Sequence, residues 1–462
     1  MRRILFSLLL LVSGPLLATT ITVNSTGTLS SPGFADDGLC TLFEAVASAN
    51  DNLPSGTLPG ECLAGEDDAT DRIEFSPAIL PATIVMEQSL LLTEGVEIIG
   101  PHRDLLTLQG LSTDRLLEID NISAFSDFEI SGLTMDGGFA FVDGPIAGAG
   151  GAVLAQHSQV ALTFDRVRFS NNGAEYAGGA LALAYGLDGT TVIRDCVFET
   201  NTAQGTSSTS DGGGGAIWIS GNQFVTIERT TFDGNVALGT VSGDPGRDAA
   251  GGAIWMLSAG STNASTLDVF SSTFDGNSTT GVGGAIAVGG PVFPADASIV
   301  GIRHSTITQN QANSDLDGTF KHGGGIYTTA STGVTLFNTI VARNDDASPD
   351  PAPNLIGTFQ TLGHNLISNN VGVETQFPFG LPNLNDDYSS QPDLDPGLGP
   401  LADNGGPTPT RLPIAGALVL DQGRCASQFT DQRGAHNAAA MTRVVDQPDI
   451  ADLDDGCDIG AV

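Results

Sequence analysis

The sequence predicts an all-β solenoid, a right-handed parallel β-helix with a short N-terminal helix cap and a disulfide-closed C-terminal cap. Three observations carry that expectation. A Gly-Gly-small-aliphatic unit recurs six times, each copy followed by an apolar-x-x-Asn element. Between these marks, short runs alternate apolar and polar residues, the period of a strand. Glycine is 60 of 462 residues while charged residues are 15%, a composition of turn-rich β structure rather than of a disordered acidic chain.

In chain order, residues 1–18 come first. Met1-Arg2-Arg3 is a basic start, Ile4 to Val12 is apolar apart from Ser7, and Gly14-Pro15 breaks any helix before Ala18. That pattern predicts a secretory signal peptide and hence a secreted or cell-surface protein. No later apolar run reaches spanning length, so no transmembrane segment is expected in the mature chain. Residues 19–72 form the expected N-terminal cap. Within them Thr41 and Glu44 make a capping box, an Ala-rich helix follows, and Asn50 to Pro54 stops it.

Residues 73–372 hold the solenoid. The glycine units are Gly150-Gly151-Ala152-Val153, Gly178-Gly179-Ala180-Leu181, Gly214-Gly215-Ala216-Ile217, Gly251-Gly252-Ala253-Ile254, Gly283-Gly284-Ala285-Ile286 and the degenerate Gly323-Gly324-Gly325-Ile326. Their third positions are 28, 36, 37, 32 and 40 residues apart, which fits constant strands joined by variable loops. Aligned columns Leu162/Phe164, Thr191/Ile193, Val225/Ile227, Leu267/Val269, Val300/Ile302 and Val334/Leu336 point inward. About ten coils at ~4.8 Å make a rod about 50 Å long. A β-propeller is the rival, but its blades need four strands and hairpin turns, which these units lack.

The same columns assign structural roles. Asn172, Asn201, Asn235, Asn277, Asn310 and Asn344 predict a corner ladder, and Cys196 falls in a small inward column with Val167, Thr230, Ser272, Ser305 and Thr339. Asp165-Arg166, Arg194-Asp195 and Glu228-Arg229 predict charge pairs between successive coils. One outward column reads Leu154, Ala182, Trp218, Trp255, Ala287, Tyr327. Trp218 and Trp255 either lie under a loop or, with Tyr327, form an exposed aromatic strip that stacks on sugar rings. Loops at 202–213 and 236–250 are long enough for either.

Residues 373–462 form the expected C-terminal region. In an exported chain with five cysteines, local pairing of Cys40 with Cys62 and of Cys425 with Cys457 is the simplest connectivity, leaving Cys196 free. Each loop closed would contribute about 3–4 kcal/mol.

Charge excludes two partner classes. Seventeen basic residues, of which Lys321 is the one lysine, face 53 acidic ones for a net −36. Nucleic acid is excluded, as is electrostatic binding to anionic lipid. Catalytic signals are sparse. Histidines 102, 157, 304, 322, 364 and 436 show no metal-type spacing, and the Lys321-His322 pair sits in a glycine-unit turn. No cofactor is expected. Asp446, Asp449, Asp452, Asp454, Asp455 and Asp458 offer hard oxygens that suit a structural Ca²⁺, although Asp452-Leu453-Asp454-Asp455-Gly456 breaks EF-hand spacing and a solvated acidic loop explains it as well.

The segment Cys40-Thr41-Leu42-Phe43-Glu44-Ala45 resembles the Cys-Ser-Leu-Arg-Glu-Ala motif opening a family of secreted bacterial β-helix proteins, with Thr41 for Ser and Phe43 for Arg. The Gly-Gly-Ala-Ile and Phe-x-x-Asn units resemble those of chlamydial polymorphic outer membrane proteins. Asp395-Pro396, Gly399-Pro400-Leu401-Ala402-Asp403-Asn404-Gly405-Gly406-Pro407, Thr430-Asp431-Gln432-Arg433-Gly434 and Cys457-Asp458-Ile459-Gly460 are similar to the choice-of-anchor Q domain. These resemblances imply a surface β-helix linked to adhesion, and none brings a reaction. The expectation is therefore a monomeric, non-catalytic protein that contacts an extracellular glycan or cell-surface partner. The alternative is a polysaccharide lyase or hydrolase on the same scaffold.

Overall fold

A computed structural model describes residues 19–27, 36–67, 69–120, 125–141, 146–156, 160–205, 212–239, 249–257, 265–289, 298–315, 323–331, 333–348, 351–380, 382–383, 387–390, 393–425, 430–436, 439–442, 450 and 453–462. Residues 1–18, His157, Lys321, His322, Asp446, Asp449 and Asp452 lie outside them, as do 206–211 and 240–248 of the two long loops.

The chain is a parallel β-helix. Short strands stack into three sheets of 18, 11 and 7 strands. One coil shows the path: Thr266–Phe270 lies in the first sheet, Thr273–Asp275 in the second, Ser278–Thr279 in the third, and Ile286–Val288 returns to the first. Successive coils pair in parallel and in register, with Phe198, Phe232 and Phe274 directly opposite one another. Their rings stack with centroids 4.9 and 4.5 Å apart, the inter-strand spacing itself. The inward columns named above are buried throughout.

Glycine pairs recur because the corner has no room for anything else. The first glycine is left-handed in every unit, with φ between +61° and +70° at Gly150, Gly178, Gly214, Gly251, Gly283 and Gly323. The second faces the next coil so closely that a Cβ on Gly215 would collide with the carbonyl oxygen of Gly252, and one on Gly252 with that of Gly284. Inside the next corner runs the asparagine ladder. Each Nδ2 donates both to the following asparagine and to the preceding coil: Asn235 to Asn277 Oδ1 and Phe198 O at 2.9 Å, Asn277 to Asn310 Oδ1 at 2.8 Å and Phe232 O at 3.0 Å. A hydroxyl ladder runs beside it, in which Thr230 N donates to Ser272 Oγ at 3.2 Å and Ser272 N to Ser305 Oγ at 3.3 Å. Cys196 stands at one end of this ladder; at the other, Asn365 N donates to Asp387 Oδ1.

Both ends of the core are covered. Helix α1 (Leu42–Asp51) begins at the Thr41–Glu44 capping box, ends at left-handed Asn52, and packs Leu42, Ala45, Val46 and Ala49 into the core with Ile21 and Val23. Thr20–Val23 pairs in parallel with Asp71–Phe75, so the first rung precedes the helix that covers it. Cys40 and Cys62 are disulfide-bonded beside this helix, with Cα atoms 4.8 Å apart. At the far end the turn from Asn370 to Phe377 buries Val373 and Phe377.

The C-terminal region, closed by the Cys425–Cys457 disulfide, does not sit on that end. It runs back along the second sheet as a strap. Tyr388 Oη donates to Gln422 Oε1, Asn338 Nδ2 to Asp458 O, Ala461 N to Thr306 Oγ1 and Thr231 Oγ1 to Pro409 O. Buried Gln432 bridges Thr231, Thr273 and Thr408. The sequence places a cap here because a solenoid needs its edges covered. The turn at 370–377 already does that, and the strap instead uses threonines on the outer face of the second sheet.

Candidate functional site

Strap and solenoid leave a cleft of about 780 Å³ between them. Its floor comes from the corner and second sheet of early coils: Arg166, Arg168, Asp195, Val197, Glu199 and Arg229. One wall is the turn His102-Arg103-Asp104; the other is the strap segment Asp403 to Pro409 with Thr430 and Gly434. Arg166, Asp195 and Arg229 occupy the corner between the first and second sheets, each left-handed at φ +54°, +56° and +46°. That backbone turns their side chains out of the coil along one edge.

Four arginines and four carboxylates therefore line the cleft, an even balance in a chain with 17 basic and 53 acidic residues. They are not equally neutralised. Arg229 grips Asp195 through Nε and Nη2 at 2.8 and 3.1 Å, and that hydrogen-bonded pairing holds its guanidinium above the usual range. Arg166 lies 2.7 Å from Asp165. Arg168 reaches Asp104 at 3.1 Å with Nη1, while its buried Nε has no hydrogen-bond partner and stands 3.6 Å from Glu199. Arg103 makes no ion pair among the described residues; Nη1 donates only to the Asp195 carbonyl, at 3.2 Å. Burial, and next the neighbouring Arg168 charge, push the Arg103 guanidinium below its usual range. The cleft thus holds two adjacent cations, one without a carboxylate.

The expected aromatic strip is not a surface. Trp218 and Trp255 stand in register on adjacent coils, ring centroids 6.4 Å apart, but each is only 2% exposed. Tyr176 meets Trp218 edge-on at 5.3 Å, and Gly213, Ala250, Val282 and Leu257 close over the indoles as a second apolar cluster outside the first sheet. Trp255 Nε1 donates to Gly289 O at 2.9 Å. The physical reason is area: two adjacent exposed indoles would leave a large apolar patch, and the corner segments cover it. Tyr327, half-buried, packs on the same cluster. These residues are packing, and the glycan-stacking expectation for them is withdrawn.

The remaining candidates divide similarly. Cys196 is buried, and burial pushes its thiol up to about 12, so it is no nucleophile. Arg194 pairs with Asp165 at 2.9 Å across coils as the charge alternation predicts. His304 and His364 lie on the same corner column two coils apart, with Asn338 between; His364 Nε2 is 3.5 Å from Asp454 of the strap. Of the acidic C-terminal group, Asp454 also pairs with Arg424, Asp455 accepts from the Cys425 amide and Asp458 from the Asp421 amide. Cys425, Asp455 and Cys457 cluster within 4.8 Å, but the two thiols are spent in the disulfide and cannot ligate a metal.

The cleft was not legible in the sequence, because Arg103 and Arg168 are 65 positions apart and the strap wall comes from beyond residue 400. The charge alternation at Asp165-Arg166, Arg194-Asp195 and Glu228-Arg229 marked the corner that floors the cleft, but not Arg103 or Arg168.

Among known proteins, the Chlamydia polymorphic membrane protein repeat matches residues 271–289. That stretch is most of one coil, from the left-handed Ser271 through both corners to the first-sheet strand Ile286–Val288. No curated protein and no solved structure matches the chain.

Proposed function

We propose that this chain is a secreted or surface-displayed β-helix that works in adhesion, contacting a glycan or another cell without catalysis. What supports the reading is one observation: a repeat of the chlamydial surface-protein type coincides with a structural coil of a parallel β-helix. A rod of stacked coils presents long flanks for contact, and insertions at its corners vary without disturbing the core. The test is attachment. The chain displayed on an otherwise non-adherent bacterium, or coated on beads, should increase attachment to epithelial cells or to immobilised polysaccharide over a β-helix control. Equal attachment would discard the reading.

A polysaccharide-active enzyme is the second reading, favoured by one column. Glu199, Asp233 and Asp275 follow one another on the second sheet, about 4.8 Å per step. Burial, then Asp275 and Glu199, push the Asp233 carboxyl up, the condition for a general acid beside an ionised partner. Release of reducing ends or unsaturated products from acidic and neutral polysaccharides would establish it.

A further inference from the structure

We propose that the cleft between solenoid and strap binds an acidic saccharide, with the carboxylate or sulfate of one sugar seated between the guanidinium groups of Arg103 and Arg168. The assignment rests on the surface-contact reading above and names the ligand class for it.

Charge makes the case. In a chain of net −36 an unpaired cation should find a carboxylate easily, and Arg72, Arg115, Arg194, Arg229, Arg343 and Arg411 all do. Arg103 forms no ion pair among the described residues, although Asp104 is its sequence neighbour, because Asp104 faces Arg168 and lies 3.4 Å from His102 Nδ1 instead. Of these two adjacent guanidiniums, one is partly desolvated and without an ion pair among the described residues, while the other is shared between Asp104 and Glu199 with no hydrogen bond at its Nε; an oxyanion between them would relieve their mutual repulsion. Guanidinium forks match carboxylate and sulfate oxygens through paired, charge-assisted hydrogen bonds.

The rest of the lining suits a sugar better than an acidic peptide. Asp104, Glu199 and Asp403 supply acceptors for hydroxyl groups, which a sugar ring carries in numbers and a polyglutamate backbone does not. Pro407, Pro409 and Val197 give apolar wall against the C–H faces of a ring. The same carboxylates repel a run of acidic side chains, whereas one anionic group per sugar needs only the Arg103–Arg168 seat.

Calorimetric titration of the disulfide-intact chain tests this with four probes: oligogalacturonate for the carboxylate, a heparin-derived oligosaccharide for the sulfate, dextran as neutral sugar, and a polyglutamate peptide. One or both anionic sugars should bind, more weakly as NaCl rises from about 50 to about 500 mM, while dextran and polyglutamate do not. Arg103→Gln and Arg168→Gln should each lower that affinity by about tenfold or more, and Arg72→Gln, outside the cleft lining, should not. Free Arg103→Gln should melt no lower than the parent, since it removes a repelled charge. Unchanged affinity in both cleft variants, equal binding of polyglutamate, or no binding of either anionic sugar overturns the assignment. Attachment that persists with no anionic sugar bound leaves surface contact standing and removes only the cleft; sugar binding without attachment does the reverse.

Discussion

Arg411 in the strap holds Asp275 in the second sheet through two parallel bonds, Nε to Oδ1 and Nη2 to Oδ2, both 3.0 Å, across 136 positions of sequence. Both side chains are more than nine-tenths buried, and Arg411 Nη2 also reaches Gln309 Oε1 at 2.7 Å. Burial pushes the Asp275 carboxyl up, and Arg411 opposes that push.

Arg411→Ala should therefore leave Asp275 buried without its partner, at about 3–5 kcal/mol. The loss should fall on the strap. Hydrogen exchange is expected to accelerate between residues 397 and 436 while amides of the Phe232 and Phe274 strands keep their protection. Uniform acceleration through the solenoid would contradict a separable strap.

Trp218→Ala and Trp255→Ala should each destabilise by about 3–5 kcal/mol, because each empties a large volume inside the second apolar cluster. Thermal unfolding measures it. A melting temperature close to that of the parent would mean the indoles are not packing.

Asn277→Ala should cost about 2–3 kcal/mol, since it strands the Asn235 amide and the Phe232 carbonyl in the interior. The cost should shrink at the ladder's end, where Asn354 Oδ1 still accepts from Asn344 but its Nδ2 donates to Ser368 and Asn369 instead of to a further rung. Equal costs at Asn277 and Asn354, read from denaturant midpoints, would argue against a cooperative ladder.

Asp71 makes the N-terminal cap sensitive to pH. Burial first, then Glu66 and Glu94, raise its carboxyl to about 6 from the ordinary 3.8. The folded state thus holds a proton that the unfolded chain has released, and stability from this group falls as pH rises from about 4 to about 6. The full effect is at most about 3 kcal/mol. Asp71→Asn should melt higher than the parent at pH 7.5 and converge with it near pH 4. Parallel melting curves across that range would show that Asp71 does not titrate so.

The sequence told apart inside from outside wherever a period was present. Phe232 and Asn235 could be assigned an inward column because five other coils repeat them at the same offset, and the hydroxyls at Thr230 and Ser272 followed. Trp218 and Trp255 were legible as outward-facing, with cover by a loop or exposure both left open, since what covers them is Tyr176 and a corner at Gly213, contacts that no spacing encodes. The strap carries no repeat. Its docking depends on single long-range pairs such as Arg411–Asp275 and Gln432–Thr273, which leave no periodic trace, so the cleft it walls stayed invisible too.

The strap also bears on the order of folding. Ladder contacts join residues 10 to 45 positions apart, so coils can add one at a time from any nucleus. Strap contacts span up to 202 positions and touch coils at Thr230, Thr273 and Thr306 at once. They form only after those coils are stacked, and they form late because long loops close slowly. A solenoid that had slipped by one coil would offer threonines to the strap at the wrong height, and Gln432 and Arg411 could not both find their partners. Docking therefore depends on the correct stacking register, since only there do Gln432 and Arg411 both meet their partners.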